Sequence, residues 1–183
     1  MAADQNTSNL ILVSGPSRGG KSRWAEHLLS GSADVTYVAT ASDRPNDQDW
    51  QTRLDLHRRR RPSHWRLLES DADLTTALRT IPQQSSVLID ALGGFVACHL
   101  DASDQAWSAC CEELVEQLAG MGQTCVVVIE ETGWGVVPPT RIGGRFRDRL
   151  GSLAQILDRQ ADSAWLVLQG RAVDLHALSQ RVP

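Results

Sequence analysis

The sequence lacks the features that define several classes of protein. Its formal net charge is −4, whereas a protein that binds nucleic acid through its surface carries an excess of basic residues. No apolar run approaches the ~20 residues that cross a bilayer, and the polar residues 1–9 lack the charged-then-apolar order of a signal peptide. We therefore expect a cytoplasmic protein with no membrane span and no nucleic-acid partner.

The cysteines lack the spacing of a metal site. There are four of them, Cys98, Cys110, Cys111 and Cys125, and no two form a C-x-x-C pair. Adjacent cysteines such as Cys110 and Cys111 rarely bridge each other. We expect four reduced thiols, as is usual in the cytosol, and no zinc site.

The length and the apolar pattern predict one α/β domain. The chain has 183 residues, of which 42% are hydrophobic and 22% charged, as in ordinary globular domains. We expect residues 10–183 to form this domain and residues 1–9 to be a flexible segment. Five short apolar runs predict parallel strands that are covered on both faces: Leu10–Ser14, Val35–Ala39, Ser86–Asp90, Cys125–Ile129 and Ala164–Leu168.

Longer amphipathic segments separate these runs. Apolar residues recur at three- and four-residue steps from Trp107 to Leu118 and again from Phe146 to Leu157, which predicts helices with one buried stripe each. The alternation of strands and helices implies right-handed crossovers. The predicted fold is therefore a doubly wound, mostly parallel α/β sheet.

The most specific motif follows the first predicted strand. Eight residues match the pattern G-x-x-x-x-G-K-[ST]: Gly15, Pro16, Ser17, Arg18, Gly19, Gly20, Lys21 and Ser22. Its glycines let backbone N–H groups approach phosphate oxygens, and the helical segment that follows adds a favourable dipole. Lys21 would bridge the β- and γ-phosphates, and Ser22 would bind Mg²⁺. Because a strand and a helix flank the motif, the sequence predicts a P-loop NTPase rather than a chance glycine-rich turn.

Two further features suit phosphate chemistry. The apolar run that begins at Val87 ends in Asp90, where a carboxylate could bind the metal ion; the alternative is a solvated residue at a strand end. The segment Arg53–Trp65 is dense in cations. Taken alone, Arg58–Arg61 could be a nucleic-acid patch or a solvated helix end, but a neutral histidine among arginines can also attack phosphorus while the guanidiniums offset the developing charge.

Four segments in one order carry a family resemblance. They are Gly15–Ser22, Arg53–Glu69, Glu130–Pro138 and Gly143–Gln155. Together they resemble the bifunctional adenosylcobinamide kinase / adenosylcobinamide-phosphate guanylyltransferase family of cobalamin assembly, over about residues 10–170. The fold that this resemblance implies is also similar to recombinase-type P-loop cores.

The resemblance implies a two-step enzyme. It would phosphorylate the aminopropanol hydroxyl of adenosylcobinamide with ATP or GTP, with Mg²⁺ as the cofactor. A histidine would then take GMP from GTP, release pyrophosphate and pass the GMP to the cobinamide phosphate. The family is trimeric, so we expect a homo-oligomer. The alternatives are an enzyme that retains only one activity, or a nucleotide-dependent switch or DNA-stimulated ATPase.

The resemblance also implies residue roles. The family's nucleophilic histidine falls on His57, with His64 as the alternative. The glutamate that contacts GTP falls on Glu69 and would bind either the guanine or the ribose. Further nucleotide contacts would come from five positions besides the P-loop and Asp90: Ala39, Thr40, Ala41, Arg58 and Arg61.

The chain departs from the family pattern at three places. Glu130 and Ala154 each stand where the family has asparagine, and Ala91–Gly93 stands where it reads C-L-T. These replacements affect polar groups that we expect on the substrate side of the site.

Overall fold

The computed structural model describes residues 9–40, 46–70, 72–136 and 138–182, apart from the side chains of Trp50 and Arg53. These residues form one seven-stranded sheet with helices on both faces. The strands are β1 Asn9–Gly15, β2 Val35–Ala39, β3 Arg66–Glu69, β4 Ser86–Asp90, β5 Thr124–Glu130, β6 Ser163–Leu168 and β7 Arg171–Asp174. The helices are α1 Lys21–Leu28, α2 Gln48–Arg60, α3 Leu74–Arg79, α4 Leu92–Cys98, α5 Asp104–Ala119, α6 Arg141–Asp158 and α7 Leu175–Leu178.

The sheet has the strand order β3-β2-β4-β5-β1-β6-β7. All neighbouring strands are parallel except β6 and β7. The predicted doubly wound, mostly parallel α/β sheet is confirmed, and each of the five predicted strands lies within one residue of an observed strand at both ends. Since the carboxyl ends of parallel strands share one edge, the P-loop after β1 lies beside the ends of β4 and β5.

The two faces of the sheet pack against two separate apolar clusters. Alternate residues of β5 go to opposite faces: Cys125, Val127 and Ile129 join one cluster, whereas Val126 and Val128 join the other. This explains why the strand reads as one continuous apolar run. The predicted stripes of α5 and α6 also pack in the first cluster, through Trp107, Cys111, Leu114, Leu118, Leu150, Leu153 and Leu157.

The four cysteines lie on α4, α5 and β5. All four cysteines are free thiols, and burial raises the pKa of Cys111 to about 11 and that of Cys125 to about 12. No helix in the described parts of the chain is long and apolar enough to cross a membrane.

The P-loop packs directly on β6. Gly15 has φ +148°, and a side chain there would overlap the carbonyl oxygen of Val167; a Cβ at Gly19 would lie 2.7 Å from the same oxygen. The amide of Gly170, in the turn between β6 and β7, donates to the carbonyl of Gly19 at 2.9 Å. Glycine is therefore required where the loop leaves β1 because of both its φ angle and this close approach.

A substitution at Gly15 should measure this packing. We expect Gly15→Ala to lower the free energy of unfolding by about 1–3 kcal/mol or more, since an overpacked side chain forces the backbone to shift. Gly151→Ala is the matched control: Gly151 is exposed within α6 with no neighbour near its missing Cβ, so alanine should stabilise the protein by roughly 1 kcal/mol. Urea unfolding of both variants checks the expectation, and equal effects would contradict it.

Candidate active site

A cavity of about 590 Å³ lies at the carboxyl ends of β4 and β5, bounded by the P-loop, the start of α1 and one face of α2. Seven of the residues predicted for the site line it: Ser17, Arg18, Gly20, Lys21, Ser22, His57 and Asp90. The topology thus brings together residues that are far apart in the sequence, and it places them where α/β sheets bind ligands.

Lys21 lies at the floor of this cavity. Its side chain is buried, and Nζ donates a hydrogen bond of 2.8 Å to the carbonyl oxygen of Pro16 within the same loop. Lys21 is also the only lysine in the chain. A neutral carbonyl is a weaker acceptor for an ammonium group than a phosphate oxygen is. The lysine is therefore placed to transfer its hydrogen bonds to a bound triphosphate.

Asp90 is the centre of a polar network at the end of β4. Its side chain is 7% exposed, its carboxylate accepts a hydrogen bond of 2.9 Å from the Tyr37 hydroxyl, and the Ser22 side chain interacts with it. Burial alone would raise the pKa of Asp90, but the hydrogen bond and charge of His57, with the hydrogen bonds of Ser22 and Tyr37, lower it below its usual value. Asp90 is thus a carboxylate rather than a carboxylic acid at neutral pH.

His57 contacts this network through one ring nitrogen. Its Nδ1 lies 3.6 Å from Asp90 Oδ2, 3.5 Å from the Tyr37 hydroxyl and 3.4 Å from Nη2 of Arg60. The side chain is 32% exposed at the cavity. Because Nδ1 makes all three contacts, Nε2 is the ring nitrogen that takes no part in them. A carboxylate beside Nδ1 is the arrangement that fixes the orientation of a reactive imidazole.

The arginine beside His57 was not predicted. Arg60 lines the cavity and forms a bidentate pair with Glu26 of α1, at 2.6 and 2.8 Å. Arg58 instead is exposed and lies 3.5 Å from Asp55, and the guanidinium of Arg61 lies 5.0 Å from the ring centre of Tyr37. The helical period could have indicated Arg60, because residues three apart share a helix face.

The other predicted residues lie around the cavity or away from it. Thr40 is buried, and its hydroxyl donates to the carbonyl of Ala91. Ala39 pairs in register with both Asp90 and Glu69, and Glu69 is exposed at the end of β3. His64 is exposed in the turn between α2 and β3, and Ala41 lies outside the described residues. The described cavity lining includes His57 and does not include His64, Arg58, Arg61 or Glu69.

Glu130 is a second acidic group at the cavity. It ends β5, pairs in register with Gly15, and accepts a hydrogen bond of 2.9 Å on Oε2 from the amide of Gly93. Burial raises the pKa of Glu130, and the charge of Asp90 adds to the rise, while backbone hydrogen bonds and Lys21 oppose it. From the sequence, Glu130 was noted only as a departure from the family pattern. Its position at the cavity could not be predicted, because that position depends on strand register.

The site fits a magnesium ion that is shared with a nucleotide. A hydroxyl from Ser22 and a carboxylate from Asp90 are oxygen donors of the kind that Mg²⁺ prefers, and both line the cavity. No group of three or more His, Cys, Asp or Glu side chains in the described ranges could hold a metal ion. Phosphate oxygens and water would therefore have to complete the coordination, as is usual for Mg²⁺ bound with a nucleotide.

Comparison with known proteins agrees with the motifs. Residues 11–175 match the family model CobU, described as cobinamide kinase / cobinamide phosphate guanyltransferase. The chain belongs to this family. The bifunctional adenosylcobalamin biosynthesis protein CobU of Escherichia coli K12 is 32% identical to it over 181 residues, which cover 91% of this chain and 99% of the relative. CobP of Pseudomonas aeruginosa PAO1, with the same description, is 34% identical over 167 residues, covering 90% and 95%.

A solved structure supports the fold alone. An ATPase from the type III secretion system of pathogenic bacteria superposes with a TM-score of 0.54 at 15% identity, covering 87% of this chain and 51% of the other. This likeness agrees with the P-loop NTPase fold that the first motif of the chain predicts. The position of the P-loop, between β1 and α1, is the usual one in such folds.

Removing the Lys21 ammonium should weaken triphosphate binding. We expect Lys21→Ala to raise the Kd for ATP and GTP roughly 10- to 100-fold, since a charge-assisted hydrogen bond contributes about 1.5–3 kcal/mol. Titration calorimetry measures the change. Arg171→Ala, which removes an exposed cation on the edge strand β7, is the control and should bind as the wild type does. An unchanged Kd in a folded Lys21→Ala protein would contradict the role of the lysine.

The buried carboxyl of Glu130 should make stability depend on pH. A group whose pKa rises on folding favours the folded state below its unfolded value, near 4.5, and loses that contribution as the pH rises through the folded value. As the pH rises from 4 to 8, the free energy of unfolding of the wild type should therefore fall relative to that of Glu130→Gln. Urea midpoints at the two pH values test this, and a difference between the proteins that does not change with pH would contradict it.

Proposed function

We propose that this chain carries out two reactions of cobalamin biosynthesis in succession. It phosphorylates the aminopropanol hydroxyl of adenosylcobinamide with ATP or GTP. It then transfers GMP from GTP, through a histidine–GMP intermediate, to the phosphate just formed, giving adenosylcobinamide-GDP. Family membership supports both activities. The observation that carries the proposal in this molecule is that the P-loop lysine and His57 line one cavity.

The P-loop holds the triphosphate in both reactions. Backbone amides of the loop and Nζ of Lys21 bind the β- and γ-phosphates. Ser22 and Asp90 would hold Mg²⁺, which offsets phosphate charge when it is bound. In the first reaction the substrate hydroxyl attacks the γ-phosphorus directly, so no residue of the chain becomes covalently modified.

His57 is the nucleophile of the second reaction. Neutral Nε2 attacks the α-phosphorus of GTP, a nitrogen–phosphorus bond forms, and the bond to the β-phosphate oxygen breaks to release pyrophosphate. Asp90, beside Nδ1, orients the ring and stabilises the imidazolium that forms. A phosphate oxygen of the cobinamide phosphate then attacks the same phosphorus, and the bond to His57 breaks. Arg60, 3.4 Å from the imidazole, supplies positive charge beside the transferring group.

The remaining roles stay predictions. Ala39, Thr40, Arg58, Arg61 and Glu69 are proposed nucleotide contacts, and Glu69 would bind the base or the ribose of GTP. A homotrimer, from the family resemblance, and a cytoplasmic location are also proposals. Sedimentation analysis at micromolar concentration tests the assembly, and a monomer alone would contradict it.

Loss of His57 should separate the two activities. With GTP labelled at the α-phosphate, wild type should take up an acid-labile, alkali-stable label, as a phosphoramidate does. His57→Ala should take up none, yet still convert adenosylcobinamide to its phosphate, because the kinase step needs no nucleophilic side chain. Denaturing gels and chromatography of the corrinoid product measure the two results.

His64→Ala is the matched control for this experiment. His64 lies seven residues further along the chain and does not line the described part of the cavity, so this variant should label as wild type does. Labelling of His57→Ala together with loss of labelling in His64→Ala would assign the nucleophile to His64. Labelling of both variants would reject the histidine mechanism.

A further inference from the structure

We propose that Glu130 accepts the proton of the acceptor hydroxyl when that hydroxyl attacks the γ-phosphorus. This inference rests on the proposed kinase activity and adds the group that activates its second substrate. Family membership assigns no such role to this position, where the family pattern has an asparagine, which cannot accept a proton. The argument depends on where β5 places the carboxylate and on what holds it there.

The sheet places Glu130 between the two strands that build the phosphate site. In the strand order, β5 lies between β1, which leads into the P-loop, and β4, which ends at Asp90. Glu130 pairs in register with Gly15, the first residue of the P-loop, and its side chain lines the same cavity as Lys21 and Asp90. Lys21 is near enough for its charge to act on the Glu130 carboxyl.

Backbone groups fix the Glu130 side chain. Its carboxylate accepts a hydrogen bond of 2.9 Å from the amide of Gly93, in the first turn of α4. A Cβ at Gly93 would lie 2.7–2.9 Å from the carboxylate atoms, so a residue other than glycine would displace them. Gly93 thus provides both the donor and the space, and the carboxylate has a defined position before substrate binds.

Asp90 is less suited to receive a proton. The side chains of His57, Ser22 and Tyr37 interact with the Asp90 carboxylate and lower the pKa of Asp90. Asp90 is also the proposed magnesium ligand. Burial raises the pKa of Glu130, and the charge of Asp90 adds to the rise. Since a carboxylate with a raised pKa is the stronger base, the geometry and the charges favour the same residue.

The step is balanced without a further reactant. The hydroxyl oxygen forms a bond to the γ-phosphorus, and its proton moves to the Glu130 carboxylate. The bond between the γ-phosphorus and the bridging oxygen breaks, and its electron pair leaves with the nucleoside diphosphate. The proton returns to solvent when the product departs.

The test is Glu130→Gln in the full chain, with adenosylcobinamide and ATP as substrates. Glutamine has nearly the same size and keeps an oxygen for the Gly93 amide, but it cannot accept the proton. We expect kcat for phosphorylation to fall about 10²- to 10⁴-fold, while the KM for ATP and the α-phosphate labelling of His57 by GTP stay close to those of wild type. Glu113→Gln, which removes an exposed carboxylate paired with Arg79, is the control.

A second variant alters the position of the Glu130 carboxylate without replacing Glu130. Gly93→Ala should displace the Glu130 side chain and lower kcat for phosphorylation while sparing GMP labelling. A kcat for Glu130→Gln equal to that of wild type would overturn the inference. A parallel loss of phosphorylation and labelling in that variant would also overturn it, since it would show a structural role. Failure of the wild type itself to phosphorylate adenosylcobinamide would reject the proposed kinase activity, and this inference with it.

Discussion

The carboxylate of Asp90 is a contact point shared by β2, α1 and α2 at the end of β4. It is buried at the end of a central strand and binds Tyr37 of β2, Ser22 at the start of α1 and His57 of α2. A buried charge is strongly unfavourable unless hydrogen bonds and opposite charge compensate for it. Here they do, because the pKa of Asp90 is lowered despite its burial. Side chains of α1, which follows the P-loop, and of α2, which carries His57, thus both interact with the Asp90 carboxylate.

The described side chains of α2 reach the site through polar contacts. None of these described side chains is fully buried. Among the contacts in the described part of the chain are those of His57 with Asp90, of Arg60 with Glu26 and, just after the helix, of Arg61 with the ring of Tyr37. Because Arg60 joins α2 to α1, the histidine is kept beside the phosphate loop. This arrangement allows one nucleotide position to serve both proposed reactions.

The sequence predicts those features that depend only on residues close together in the chain. The P-loop and the five buried strands are of this kind, since a continuous apolar run or a fixed motif is visible locally. The edge strands β3 and β7 were not predicted, because RLLE and RAVD are short, partly exposed and half polar. The helical period could have indicated Arg60 beside His57, whereas the placement of Glu130 at the cavity depends on strand register and so appears only when the strands are assembled.

A single cavity, between the P-loop and His57, is proposed to bind the nucleotide for both reactions. The most direct test is to follow the transfer of GMP from α-labelled GTP to the protein while β,γ-methylene-ATP, which cannot donate its γ-phosphate, is added. If the claim is correct, labelling falls to zero as the analogue saturates the P-loop, at concentrations that match its directly measured Kd, and excess GTP restores it. Labelling that persists when the analogue is saturating would show a separate GTP site and would contradict a single shared cavity.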